Sequence, residues 1–485
     1  MARRSWRNFD YALLGTLLVL SVFGVIMIYS ATIDTDWENL PQQQMIYLAV
    51  GIVLLLLTAS ADYRLLEIVQ HPFATLTPLV LGFGAAALVV TWQAETVGLA
   101  EDTLSAASFV PDLPAILAGI ASIVAVYLAD RLWIEKLDLI LVRIVALVIV
   151  AGVAAAGTLY LIPRPALSPY LLAGGLAVVY LLDCLTLRVT DVLRNPIYVL
   201  TLGLLGIILV IGQVSGGSQR WLGEGKVQPS ELAKILVIIS LAKFLADREE
   251  QLDKFSTVLV SLVIVAIPMG LIYLQPDLGT ALTLIAIWAA MIWMAGIRFR
   301  HLLILGIGGI AALPLIWLKL EDYMRDRLLL FINPTSDPDS YFNVYQSLVS
   351  IGSGGWTGKG LTHGTQSQLH FLRVRHTDFI FAVTAEELGF LGAIAMLGLI
   401  FFILWRMLRV AGESRDTFGR LLTAGVAAVI LFQSAVNIGM NLGLMPVTGI
   451  PLPFVSYGGS SFLTLMLGIG LVESVAMRHK KLEFD

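Results

Sequence analysis

The sequence predicts an all-α polytopic membrane protein, and three observations carry that prediction. The 485 residues are 58% apolar and 14% charged, whereas soluble domains run at roughly 45–50% and about 25%. Mean hydropathy over the whole chain is +0.85. Apolar runs long enough to cross about 30 Å of hydrocarbon, which takes about 20 helical residues, follow one another along almost the entire sequence. This composition excludes a soluble enzyme with a single core, a disordered hub and a disulfide scaffold. A formal net charge of −4 leaves no basic excess, so no nucleic acid partner is expected. The one cysteine, Cys184, cannot close an internal disulfide and reads as a small apolar filler.

The spans are read at 11–30, 45–61, 73–91, 112–129, 138–162, 167–184, 196–214 and 230–246. They continue at 256–274, 278–296, 301–319, 379–405, 421–441 and 459–478, about fourteen in all. The first lacks a small-residue cleavage site and runs directly into a second span, so it is expected to be a retained helix. Short loops rich in Lys and Arg stay cytoplasmic. Arg3, Arg4 and Arg7 precede the first span, and basic residues recur in alternate loops: Arg64, Arg131 with Lys136, Arg188 with Arg194, and Arg248 with Lys254. The alternation continues through Arg298 with Arg300, Arg406 to Arg420, and Arg478 with Lys480 and Lys481. Both termini are therefore expected in the cytoplasm, and the opposite loops at 31–44, 92–111 and 442–458 hold no Lys or Arg. Basic residues also occur in the outer segments 215–229 and the long stretch 320–378. The latter places Phe331, Tyr341, Phe342, Tyr345, Trp356 and Phe371 among Gly and Pro turns. That is too aromatic for a solvated tail, so an ordered, partly re-entrant extracytoplasmic loop is expected.

Several segments carry chemistry. HTDFIFAVTAEELGFLG, from His376, puts Asp378 at the mouth of a span, where Thr377 or Asp378 could cap the helix. Glu386 and Glu387 follow about 12 Å deeper at 1.5 Å per residue, a depth at which ionisable groups face a protein interior or a wet cavity beside a counter-charge. QPSELAKI, from Gln228, starts a helix at Pro229 and Ser230. It sets Glu231 and Lys234 three apart on one face, either as a local salt bridge or with Lys234 offering positive charge to a phosphate in an outward cavity. In LQPDLGT, from Leu274, Asp277 is as much a cap as a ligand. The stretch Pro446 to Ser461 is too rich in Pro and Gly for a helix, and its SYGG turn offers backbone N–H groups to an anion. His363, His370 and His376 fit no zinc spacing. No P-loop, dinucleotide fingerprint or GxSxG elbow is present, so the energy for any reaction is expected to reside in the substrate, with no nucleotide cofactor.

These motifs, with NPTSDP at Asn333 to Pro338, IGSGGWTGKG at Ile351 to Gly360, GTQSQL at Gly364 to Leu369 and the block Gly216 to Lys234, stand in an order that resembles the SEDS family of bacterial peptidoglycan polymerases. GTQSQL and the NIGM at Asn437 to Met440 look more like RodA, the elongation branch, than FtsW, the division branch. The resemblance covers 11–72 and 186–480. It implies a SEDS-type core of ten spans in 1–72 and 186–485, with 73–185 an insertion of four more. The family's Pro-Glu just before HTDF is replaced here by Arg373 and Val374.

The resemblance further implies a multi-pass plasma-membrane glycosyltransferase joining lipid II units into glycan strands on the extracytoplasmic face during cell-wall elongation. By analogy, Asp378 is the general base that takes the proton of the incoming GlcNAc 4-hydroxyl as it attacks the donor's anomeric carbon, with inversion. Lys234, Arg220, Lys359 and Arg375 are the expected cations for the departing pyrophosphate, possible partners being a divalent metal, Mg or Mn, held by Asp378 or Glu231. Glu231, His376, Gln366 and Ser456 are expected to line the same substrate site. Membrane lipids surround the chain, and a class B penicillin-binding protein, a transpeptidase, is the expected protein partner. Two competing readings are a lipid II flippase and a noncatalytic scaffold for that transpeptidase.

Overall fold

The computed structural model describes residues 6–33, 37–69, 195–211, 213–215, 218–221, 227–334, 337–369 and 374–478, with residues 35, 371 and 372. The predicted spans at 73–91, 112–129, 138–162 and 167–184, the insertion they make up, and Cys184 lie outside the described residues. Every other predicted span is a helix. In chain order these are α1 (Tyr11–Thr32), α2 (Leu40–Ser60), a short α3 (Arg64–Val69), α4 (Pro196–Ile211), α5 (Pro229–Asp247), α6 (Phe255–Tyr273), α7 (Leu278–Met294) and α8 (Phe299–Lys319). The long outer loop supplies α9 (Asp322–Ile332), α10 (Pro338–Ser353) and α11 (Thr365–Gln368), before α12 (Ile380–Glu413), α13 (Thr417–Asn441) and α14 (Gly459–Ala476). The expected order in the outer loop is thus present as helices. A short antiparallel ribbon, β1 (Gln213–Ser215) and β2 (Ser218–Trp221), follows α4.

The chain divides into two compact units, residues 1–65, 226–273 and 277–485 in one and 66–225 with 274–276 in the other. Within the second, Gln275 Nε2 donates to the Leu205 carbonyl at 3.1 Å, holding the 274–276 turn to α4. The first unit contains the candidate site. Its centre is α13, which packs against α12, α7, α5 and α14, while α14 lies along α2 and α1 along α12. Six helices among the described residues are long and apolar enough to cross a membrane. Their outer faces remain apolar: on α2, for example, Ile46, Val53 and Leu57 are exposed, as lipid contact requires.

Helix starts follow the sequence. Asp10 caps α1 by accepting from Leu13 N–H at 3.1 Å, and Asp277 caps α7 by accepting from Thr280 N–H at 3.0 Å. Pro229 opens α5 in the first turn, where its missing N–H costs nothing.

One feature departs from the predicted span at 379–405. Gly389 has φ +67° and ψ −165°, so α12 is two helices, Ile380–Leu388 and Phe390–Glu413. The second is about 36 Å long at 1.5 Å per residue and crosses the bilayer by itself. The break exposes backbone groups that must be paired where water is excluded. The outer loop pairs them: Lys359 and Gly360 N–H donate to the Glu386 and Glu387 carbonyls at 3.1 and 2.9 Å, and Phe390 and Leu391 N–H donate to the Gly355 and Trp356 carbonyls at 2.9 and 3.1 Å. The chains approach too closely for side chains. A Cβ on Gly358 would stand 2.1 Å from the Glu387 oxygen, and one on Gly389 would stand 2.3 Å from Gly358 N.

Candidate functional site

The site is built around three consecutive backbone carbonyls. Tyr457 N–H donates to His376 O at 3.0 Å. Ser456 Oγ donates to Thr377 O at 2.5 Å and also accepts from Leu452 N–H at 2.9 Å. Asn437 Nδ2 and Asn441 Nδ2 donate to Asp378 O at 3.1 and 2.9 Å. The Pro-rich turn before α14 and the outer end of α13 thus hold the HTD segment one peptide at a time. Asp378 itself is half-buried at the start of α12, and its Oδ2 lies 3.8 Å from where a Cβ on Gly449 would sit. The helix cap falls on Phe379, which offers no side-chain acceptor. Asn441 Oδ1 instead accepts from Ala382 N–H at 3.2 Å.

His376 lies between Trp37, tilted at a ring distance of 4.7 Å, and Tyr457, edge-on at 6.1 Å. Burial, aided by the neighbouring Arg375 charge, pushes its imidazole down to about 4, so it is neutral at physiological pH. Arg375 is buried, and its Nε donates to the Ala31 carbonyl at the end of α1; desolvation lowers its guanidinium from the usual value. Burial and nearby Tyr47 raise the Tyr457 phenol to about 12, and its hydroxyl donates to Gln43 Oε1 at 2.6 Å.

A second cluster surrounds the break in α12. Glu386 accepts from Lys359 Nζ at 2.8 Å, Thr365 Oγ1 at 3.1 Å, Gln366 N–H at 2.9 Å and Ser367 N–H at 3.2 Å. Glu387 accepts from Ser30 Oγ, and Ser30 Oγ in turn accepts from Thr362 N–H at 3.0 Å. Both glutamates are fully buried and face protein partners, as expected of ionisable groups at this depth. Lys359 and Gln366 meet here around Glu386. Glu231 and Lys234 form a pair of their own near the start of α5, with Lys234 Nζ 2.9 Å from both carboxylate oxygens. Beside it, Gln228 N–H donates to Ser460 Oγ at 3.0 Å, and Gln228 Nε2 donates to Asp277 Oδ2 at 2.9 Å. Arg220 lies on β2, and its side chain is outside the described residues, as are His370 and Arg373.

The residues therefore group as Arg375, His376, Asp378 and Ser456 in one place and Lys359 with Gln366 in another. The two asparagines were not singled out as site residues. Their signal was present nonetheless: two polar amides four apart in one apolar span share a helix face and rarely stand there without a partner. For the divalent metal, Glu231 is a poor fit, because both of its oxygens already face the Lys234 ammonium. No three His, Cys, Asp or Glu groups converge into a metal-binding cluster among the described residues.

The fold and these segments have known counterparts. The family model FtsW/RodA/SpoVE, described as a cell cycle protein, matches residues 131–481. The peptidoglycan glycosyltransferase MrdB of Escherichia coli is 39% identical over 315 residues, covering 64% of this chain and 85% of that one. The probable peptidoglycan glycosyltransferase FtsW of Thiomicrospira cyclica is 40% identical over 288 residues, covering 58% and 73%. Among solved structures, a chain from work on the structural coordination of polymerization and crosslinking by a peptidoglycan synthase complex superposes with a TM-score of 0.62 at 25% identity, covering 98% of this chain and 99% of that one. The multi-pass membrane protein described here belongs to the FtsW/RodA/SpoVE family.

Proposed function

We propose that the chain is a peptidoglycan glycosyltransferase that polymerises lipid II on the extracytoplasmic face, with Asp378 as its general base. The observation that carries this reading is the fixing of the His376, Thr377 and Asp378 carbonyls by Tyr457, Ser456, Asn437 and Asn441. A catalytic carboxylate gains most when its backbone is positioned before substrate arrives, because preorganisation removes ordering from the reaction step. Asp378 accepts the proton of the acceptor sugar hydroxyl. The oxygen forms a bond to the donor's anomeric carbon, the bond from that carbon to the pyrophosphate oxygen breaks, and undecaprenyl pyrophosphate leaves with the electron pair. One displacement inverts the anomeric configuration.

Arg375 is the cation best suited to the leaving pyrophosphate. It stands three residues from Asp378 in the same segment, and its Nε donates to the Ala31 carbonyl. Glu231 and Lys234 pair with each other within the first turns of α5. GTQSQL and NIGM support a role in elongation, and the likeness to a chain of a peptidoglycan synthase complex supports a class B penicillin-binding protein as partner.

Purified protein given lipid II tests the proposal. Asp378→Asn should abolish glycan chains, since an amide cannot take the proton, while leaving the thermal melt unchanged. Polymerisation by that variant at the wild-type rate overturns the assignment. Lipid II translocation without glycan chains in the unsubstituted protein would favour the flippase reading instead.

A further inference from the structure

At the end of the molecule opposite Asp378, the N-terminus of α1, the C-terminal part of α12 and the end of α14 enclose a cavity of about 620 Å³. The basic residues of 406–420 place this end in the cytoplasm. Its wall includes Asn8, Asp10, Tyr11, Arg406, Arg409 and Glu413. Arg406 donates to Asp10 Oδ2 through Nε at 2.8 Å and lies 2.6 Å from it through Nη2. Arg409 Nε donates to Glu413 Oε1 at 2.8 Å. The Arg406–Asp10 pair ties α12 to the start of α1, and the lipid II site uses neither pair.

The lining is two guanidiniums and two carboxylates, a balanced set. Behind it Glu473 is fully buried, with Oε2 accepting from Asp10 N–H at 3.0 Å and Oε1 lacking a hydrogen-bond partner. A simple anion would add charge that this set cannot compensate, and a simple cation would meet the guanidiniums. A zwitterion satisfies both halves. Its phosphate meets the Arg406 and Arg409 forks, which suit phosphate geometry. A primary ammonium brings three N–H donors to the Glu413 and Asp10 carboxylates, which a quaternary ammonium cannot do. From the rim, Tyr11, Ala12, Gly15 and Val19 lie exposed along α1 towards the bilayer, and Gly15 has nothing within 4 Å of a built Cβ. That leaves an apolar track for an acyl chain.

We propose that this cavity is a cytoplasmic-leaflet site for a phospholipid with a primary-amine zwitterionic headgroup, of the phosphoethanolamine class. The lipid would join the ends of α1, α12 and α14 at the face away from the chemistry.

The test is native mass spectrometry of the full chain in detergent, with dioleoyl phosphatidylethanolamine, phosphatidylcholine and phosphatidylglycerol added at equal concentration. The ethanolamine lipid should be retained at least about tenfold better than either other, as expected for charge-assisted hydrogen bonds. Soluble phosphoethanolamine should compete and inorganic phosphate at the same concentration should not. Glu413→Gln should bring the ethanolamine and choline lipids to near parity, and Arg409→Gln should weaken retention of all three. Both residues are exposed, and a thermal melt of each variant confirms the fold. Equal retention, preference for phosphatidylglycerol, full competition by inorganic phosphate, or an undiminished preference in Glu413→Gln overturns the proposal. Polymerase activity is not the readout, so failure here is distinct from failure of the Asp378 assignment.

Discussion

Asn441 uses both ends of its amide on α12: Nδ2 donates to Asp378 O, and Oδ1 accepts from Ala382 N–H. Asn437 Nδ2 adds a second donor to Asp378 O and also reaches Ile450 O at 2.8 Å, and both asparagines are fully buried. Asn441→Ala therefore leaves a buried N–H without its acceptor, at a cost of about 1–3 kcal/mol. It also loosens the backbone beneath Asp378. Polymerisation should fall roughly 10- to 100-fold, as for a small displacement of a reacting group, mainly in kcat. An unchanged kcat would mean that Asp378 does not depend on this support. His376 gives a stability test with a definite sign. Its folded value near 4 lies below the ordinary value of about 6.5, so between those values the unfolded chain binds the proton and the folded chain does not. Its contribution is complete above about pH 6.5 and is lost as pH falls towards 4. From pH 7 to pH 5 the wild type should lose about 2 kcal/mol more than His376→Gln, measured by unfolding in detergent. Equal losses would show that the imidazole is protonated in the folded state.

The element that shapes the outer face is the broken α12 with the loop that fills its break. At Gly358, φ is +77°, a left-handed conformation costing roughly 1–2 kcal/mol in any other residue, and the close Glu387 carbonyl leaves no room for a Cβ. Gly358→Ala should destabilise by at least about 2 kcal/mol and make the outer loop open to protease, whereas Trp356→Ala, at an exposed ring on the same loop, should leave proteolysis nearly unchanged. Comparable cleavage in the two variants would show that the loop is not anchored through Gly358. This element also marks where sequence reading stopped. The apolar residues resume directly after Glu386, Glu387 and Gly389, so the span was legible and its break was not. The break depends on hydrogen bonds from residues 355 to 360, and no local pattern announces a partner some thirty positions away. The caps divide in the same way. Asp10 and Asp277 act within their own helix starts, and Asp277 was legible as a cap in its motif. The start of α12 instead takes its acceptor from Asn441 on another helix. In sequence the SYGG turn is a source of N–H groups for an anion, yet Tyr457 N–H is used on the His376 carbonyl. The pattern showed a donor, and only the fold showed what it serves.

For the whole molecule the controlling term is the asymmetric placement of charge, which orients every span at once. Arg406 and Asp10 join α12 to α1 at one end, while Ser30 and Glu387 join the same two helices at the other. These two helices therefore carry the site and the cytoplasmic cavity on opposite sides of the membrane. Site-directed labelling tests that arrangement, because Cys184 is the one native thiol and can be replaced by Ser. In intact spheroplasts, a membrane-impermeant maleimide should label Trp356→Cys and Leu444→Cys, both at exposed positions, and should label Arg415→Cys only after permeabilisation. Lys136→Cys extends the test into the proposed insertion. If 73–185 adds an even number of spans, with its middle loop inside, that position also labels only after permeabilisation. Labelling of Arg415→Cys from outside would reverse the end of α12 and remove Asp378 from the face where lipid II must react. Labelling of Lys136→Cys alone from outside would leave that face intact and require an odd number of insertion helices before this loop and an odd number after it, the one arrangement that exposes it while the later spans keep their direction.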